Sequence, residues 1–252
     1  MAELWRPFTF EFFRNGLIVA TVAGALCGLI GVFVVLKGMS YIGHGLSHAI
    51  FGGFAASSLL GVNVLLGAGV WGVASALMIN GVTRRRVIGA DAAIGVITTA
   101  SFALGLTLFA AFGRRGRNFD AALFGSILGV GWSDVAAVLT VAAGVGLVVF
   151  FGYRRLLFTT FDPDVAEASG VNTARVDAVL MLALAASILV TMQVLGVTLI
   201  AATLVIPPTI ARMLTSSFSR MLWSSTVIGA VTGFVGMVAS YHLDIQSGPA
   251  IV

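Results

Sequence analysis

The chain has 252 residues, 59% of them hydrophobic and only 10% charged, where an average soluble domain carries roughly 25% charged residues. So few polar groups cannot clothe a water-soluble globule of this size, which excludes a soluble domain, a disordered protein and a nucleic-acid-binding module. The net charge of +4 fits arginine clusters between apolar segments, the pattern that a positive-inside bias produces.

At about 20 apolar residues per spanning helix, this length allows eight or nine spans with short loops. Residues 1–14 interleave Trp5, Phe8, Phe10, Phe12 and Phe13 with Glu3, Arg6, Glu11 and Arg14, which predicts an arm or helix at the membrane interface. Apolar segments follow at 16–36, 41–60, 64–82, 90–112, 134–152, 175–195, 198–214 and 221–241. A further one begins at Gly248 and is cut off at Val252, so the natural chain is expected to continue. These runs are continuously apolar rather than alternating, which excludes a β-barrel. The expectation is all-α: a polytopic transmembrane bundle of eight to nine spans, forming a single transmembrane domain over residues 1–252. The 31 glycines predict close helix packing. The single cysteine, Cys27, leaves no disulfide framework or thiolate cluster.

With the N-terminus outside, the inner loops hold Lys37, Arg84, Arg85, Arg86, Arg154, Arg155, Arg175, Arg212 and Arg220. The outer side holds Arg6, Arg14, Arg114, Arg115 and Arg117, so the bias runs in the expected sense and the last three oppose it. Residues 113–133 contain the apolar stretch 121–130, too short to span, which predicts a re-entrant or surface helix. Residues 153–174 form the most polar inner connection. Within it Asp162 is a good N-cap and Pro163 a good first helical residue, Asp164 and Glu167 suit the positive helix end, and Gly170 is a natural stop. They encode a helix of about two turns outside the bilayer, which needs a docked partner because so short a helix is marginal alone.

Charged and polar side chains inside spans are expensive and mark function first. Two of the three histidines form His44-Gly-Leu-Ser-His48. Four residues apart on a helix they share a face, and both imidazoles can reach one ion or pore. Imidazole suits Zn²⁺, Mn²⁺ or Fe²⁺, while packing histidines bonded to carbonyls is the alternative. Gly45 stands where His-Glu-x-x-His needs its base, so a zinc-protease reading fails. Ser47, Ser57, Ser58, Asn80, Thr98, Thr99, Ser101, Thr191, Gln193 and Thr203 read as helix-bridging polar groups. Pro207-Pro208 interrupts the hydrogen-bond ladder of its segment and predicts a kink, either a gating bend or a static one. No Gly-x-x-x-x-Gly-Lys-[Ser/Thr] occurs, so ATP must be bound by another subunit if it drives the process.

These motifs together resemble the membrane permease subunits of bacterial ABC importers for manganese, zinc and iron, over essentially the whole chain. The strongest match is Gly31-Val-Phe-Val-Val-Leu-Lys-Gly-Met-Ser-Tyr-Ile-Gly-His-Gly-Leu-Ser-His48-Ala. The others are Ala93-Ile-Gly-Val-Ile-Thr-Thr, Leu123-Phe-Gly-Ser-Ile-Leu, Phe161-Asp-Pro-Asp-Val-Ala through Gly170-Val, Val205-Ile-Pro-Pro-Thr-Ile-Ala-Arg212 and Ser247-Gly-Pro-Ala-Ile-Val252. The resemblance implies a homodimer in the bacterial cytoplasmic membrane, with a cytoplasmic ATP-binding subunit docked on each copy and an extracytoplasmic metal-binding protein delivering the ion. It implies no enzymatic activity in this chain and no tightly bound cofactor. The helix carrying Asp162, Pro163, Asp164, Glu167 and Gly170 would be the coupling helix, and Zn²⁺ or Mn²⁺ the transported ion. In the family, the Asp and His of Gly-Asp-x-x-x-His contact metal; His48 matches that His, and His44 stands in place of the Asp. An all-nitrogen pair favours Zn²⁺ over Mn²⁺, whereas the further His that zinc members carry near Thr99 is absent. The rivals are a gradient-driven carrier, whose only relay candidates are Asp91, Asp134 and Asp177 near span ends, and a membrane-embedded metalloenzyme, for which no acid–base pair or nucleophile is present.

Overall fold

A computed structural model of the chain describes residues 6–85, 88–112, 125 and 129–252. Each long apolar run satisfies its backbone internally, as a chain in lipid must, and becomes a helix. After a 3-10 turn at Arg6–Thr9 come α1 (Glu11–Leu36), α2 (Ile42–Leu60), α3 (Val64–Arg84), α4 (Ala90–Phe112), α5 (Trp132–Phe161), α6 (Pro163–Ala168), α7 (Thr173–Leu195), α8 (Ile200–Leu214), α9 (Phe218–Leu243) and α10 (Ser247–Ile251).

Six of these, α1, α3, α4, α5, α7 and α9, are long and apolar enough to cross a membrane. The three further segments expected to span fall short of that length or hydropathy, each for its own reason. The 41–60 segment forms α2 with 19 residues, but its histidines, glycines and serines dilute its hydropathy. The 198–214 segment begins only at Ile200, after a turn at Gly196 with φ +77°, and leaves a helix of 15 residues. The segment at Gly248 is the five-residue α10. Of the predicted interfacial arm, Glu3 and Trp5 lie outside the described residues; residues 11–14 form the first turn of α1, and Phe13 is buried edge-on between Phe8 and Tyr241. Conversely, α5 runs 30 residues to Phe161, placing Arg154 and Arg155 on a helix rather than in a loop. Arg114 to Arg117, nearly all of the predicted 121–130 helix and the Gln193 side chain lie outside the described residues.

The helices group into two compact units: one from residues 1–35, 118–144 and 190–252, the other from residues 36–117 and 145–189. In the first, α1 and α9 meet antiparallel along a seam of small residues. A Cβ on Gly24 would strike the Gly229 carbonyl and one on Gly229 the Gly24 carbonyl, while Gly28 abuts Ser225 and Gly233 abuts Ala20. Ser225 Oγ donates to the Gly28 carbonyl at 2.6 Å. Without side chains between them the backbones gain van der Waals contact, which replaces the hydrophobic effect as the driving force in lipid. The same unit absorbs the double proline: α8 continues through Pro207 and Pro208, and Gly31 leaves room for the Pro208 ring and the Leu204 carbonyl, whose usual amide donor Pro208 lacks.

In the second unit α2 lies between α3 and α4. Gly53 faces Trp71 and Gly72 faces Ile50 on the α3 side, and Gly45 faces Ile94 and Thr98 while Gly52 meets Ser101 and Gly105 on the α4 side. Ser101 Oγ donates to the Ala49 carbonyl at 3.3 Å and accepts from Trp71 Nε1 at 2.6 Å, so one hydroxyl ties all three helices.

Candidate functional site

Glycines on two sides of α2 draw α3 and α4 in, and a third stripe at the start of the helix stays partly exposed. Tyr41, His44 and His48 occupy that stripe. Tyr41 is 49% exposed, the two histidines are half-buried, and their rings stand 4.4 Å apart at 76°. Tyr41 flanks His44 at 5.5 Å, and Phe102 of α4 flanks His48 at 4.5 Å, edge to face. The Nδ1 of His48 is buried and makes no hydrogen bond, a rare state for a buried polar atom. The structure thus brings together the two histidines that the sequence singled out, and the packing alternative, in which both rings bond neighbouring carbonyls, does not describe His48 Nδ1.

Among the described residues no group of three or more His, Cys, Asp or Glu could hold a metal ion. Thr99 is exposed, and it is Thr98 that faces α2 at Gly45. The described residues therefore place two imidazoles beside aromatic walls, short of the four ligands of a closed metal site.

The polar helix predicted at 163–169 exists as α6, six residues long. The Asp162 side chain accepts from the Val165 amide at 3.0 Å, Pro163 takes the first helical position, and Gly170 adopts φ +82°. The Gly170 and Val171 amides then return to the Glu167 and Ala166 carbonyls at 3.0 Å each, a glycine-terminated helix end.

Beside α6 lies a cavity of about 640 Å³ whose charged lining is Lys37, Arg84, Asp164, Glu167 and Asp177. Asp177 holds it together. Its carboxylate accepts from Lys37 Nζ at 2.9 Å and Arg84 Nη1 at 3.1 Å. Arg84 Nη2 also donates to Thr173 Oγ1 at 3.2 Å, and Thr173 Oγ1 donates to Glu167 Oε2 at 3.3 Å. Lys37 Nζ donates further to the Thr159 carbonyl at 3.2 Å. A continuous polar chain thus joins α6 to the end of α3, the start of α7, the end of α5 and the α1–α2 connection, five residues before α2 begins. Sequence reasoning named Asp177 only as a relay for a gradient-driven carrier. Its two cationic partners give it a structural role instead, and only the spacing of Lys37 and Arg84 at inner span ends hinted at it. Asp134, another relay candidate, caps α5 by accepting from the Gly131 amide at 2.9 Å.

An all-helical membrane bundle with a short capped helix between two spans and no nucleotide loop defines the class: the membrane component of a transport system. The model of the ABC 3 transport family matches residues 9–252, and the chain belongs to that family. Such a component crosses the cytoplasmic membrane several times and leaves ATP hydrolysis to a separate subunit. Similar proteins include a manganese transport system membrane protein, MntC, of Listeria monocytogenes, 35% identical over 96% of this chain and 86% of its own length. The chelated iron transport system membrane protein YfeD of Yersinia pestis is 30% identical over 98% of this chain and 82% of its own. The solved structure of PsaBC from Streptococcus pneumoniae in complex with Fab contains a chain that superposes with a TM-score of 0.88 at 32% identity, covering 99% of this chain and 90% of that one.

Proposed function

We propose that this chain is the permease subunit of an ATP-driven importer for a divalent first-row transition metal, with His44 and His48 as the transient metal contacts. The observation that carries the reading is the pair of half-buried imidazoles one helical turn apart on the partly exposed stripe of α2, with the buried His48 Nδ1 unbonded. In this reading two copies face each other across the stripe and together supply four nitrogens. An extracytoplasmic metal-binding protein delivers the ion, and a cytoplasmic ATP-binding subunit docks on α6 through Asp162, Pro163, Asp164, Glu167 and Gly170. Movement of α6 is passed along the Glu167–Thr173–Arg84–Asp177–Lys37 chain toward α2, and the helix around Pro207 and Pro208, which lacks two ladder bonds, is the element able to bend.

The similar proteins are named for manganese and iron transport, which favours Mn²⁺ or Fe²⁺ as cargo and lends no support to a zinc preference. The His44-for-Asp exchange favours Zn²⁺ instead, because an all-nitrogen site loses the anionic oxygen that a harder ion prefers. The test is uptake of Mn²⁺, Fe²⁺ and Zn²⁺, each alone, into vesicles holding the permease, its ATP-binding subunit and the loaded binding protein. His44→Ala with His48→Ala should cut uptake of the cargo metal at least about tenfold, the smaller effect seen when even an outer-shell metal partner is lost. Unchanged uptake in that variant overturns the site, and the metal taken up by the wild type identifies the cargo.

A further inference from the structure

The ends of α5 and α7 that adjoin α6 enclose a second, smaller recess of about 270 Å³ that the transport reading leaves unused. Its α5 wall is Val148, Gly152, Arg155 and Leu156, one face of that helix, and its α7 wall is Arg175, Val176 and Val179. The walls are almost wholly apolar: Arg155 and Arg175 line them with their aliphatic stems, and their guanidinium groups belong to the exposed rim. Among the described residues, neither Arg155 nor Arg175 makes a side-chain hydrogen bond or ion pair, and both are exposed. Depth along α5 places them. Trp132, 61% exposed at the start of α5, belongs at one interface as an exposed ring. At 1.5 Å per residue, Arg155 then lies about 35 Å further along the axis, near the opposite headgroup layer once some 30 Å of hydrocarbon is crossed. Gly152 and Val148 lie deeper, at acyl-chain depth, and Phe150 and Phe151 at 74% and 80% exposure mark this stretch of α5 as lipid-facing.

We infer that the α5–α7 recess is a binding site for an anionic phospholipid of the cytoplasmic leaflet, with Arg155 and Arg175 on its phosphodiester and an acyl chain along Val148, Gly152 and Val179. Charge complementarity selects this occupant. Two unpaired cations at headgroup depth above an apolar slot match a molecule that is anionic at one end and hydrocarbon at the other, and the cytoplasmic leaflet is the anionic one. Gly152 matters because a side chain there would narrow the slot.

The test uses the purified full chain with phosphatidylglycerol or phosphatidylcholine, and native mass spectrometry reads the lipid retained. The wild type should keep one phosphatidylglycerol and little phosphatidylcholine. Arg155→Gln with Arg175→Gln should weaken retention roughly thirtyfold, from about fivefold per cation near an anionic surface. Val179→Trp, which fills the slot and keeps both charges, should expel the lipid too, and this variant decides the matter if the arginine double variant does not fold. Glycerol phosphate without acyl chains should fail to displace the lipid. Equal retention in the variants, equal retention of phosphatidylcholine, displacement by the free headgroup, or a second copy of the chain released by Val179→Trp would each overturn the assignment.

Discussion

Asp177 is bonded to a lysine 140 residues away and an arginine 93 residues away, and it ties the start of α7 to the end of α3 and the α1–α2 connection. Removing its charge leaves Lys37, only 13% exposed, beside Arg84 with no anion between them. Losing one partner of a partly buried pair costs more than the pair contributes, because the remaining charge keeps its desolvation penalty. Asp177→Asn is expected to destabilise the fold by roughly 1–3 kcal/mol and to lower metal uptake more than ATP hydrolysis, because the amide no longer holds α3 and the α1–α2 connection to one anchor. Asp177→Glu should restore most of the transport. The uptake-to-hydrolysis ratio of the three proteins checks this. A fall in uptake and hydrolysis together, tracking the loss of folded protein, would reduce Asp177 to a merely structural residue.

Among the elements, α1 and α9 depend on absent side chains. Gly229→Leu would push into the Gly24 carbonyl, and overpacking of a closed contact costs about 1–3 kcal/mol. That should lower the thermal midpoint by roughly 2–12 °C. Gly146→Leu on α5, where an added Cβ meets nothing within 4 Å, is the matched control and should be neutral or mildly stabilising through helix propensity. Equal effects of the two substitutions in a thermal melt would show that the seam does not hold the unit together. Helix α6 and this seam differ in how far apart in the chain their determinants lie. The cap at Asp162, the proline at the first turn and the stop at Gly170 act within nine residues of chain, so α6 is legible in the sequence together with the role of each residue. The seam is legible there only as an excess of glycine, because which glycine meets which depends on how two distant helices cross.

At the scale of the molecule, the proposed metal site draws two imidazoles from one chain, on the partly exposed stripe of α2, and the proposal has a second copy complete it. Cys27 is fully buried, so Tyr41→Cys places the one accessible thiol of the chain beside His44. Copies facing each other across this stripe should cross-link into a dimer through residue 41 in membranes under mild oxidation, and Gly146→Cys on α5 should not. A dimer band from Gly146→Cys alone would move the interface away from the histidines.

Hydropathy, a sum over neighbours in sequence, determined that the chain is a helical membrane protein, and local capping chemistry determined where its short inner helix begins and ends. The His44 and His48 pairing was likewise readable from a spacing of four. Tertiary structure alone decided that 41–60 becomes a 19-residue helix gripped on two sides, that the histidines fall on its partly exposed stripe, and that Asp177 answers Lys37 and Arg84. It also decided that α5 runs on far enough to carry Arg155 to the recess it shares with Arg175. The reason is physical: hydropathy and caps act within a turn or two of chain, whereas ion-pair partners, close glycine contacts and the free face of a helix are fixed by which distant surfaces pack against it.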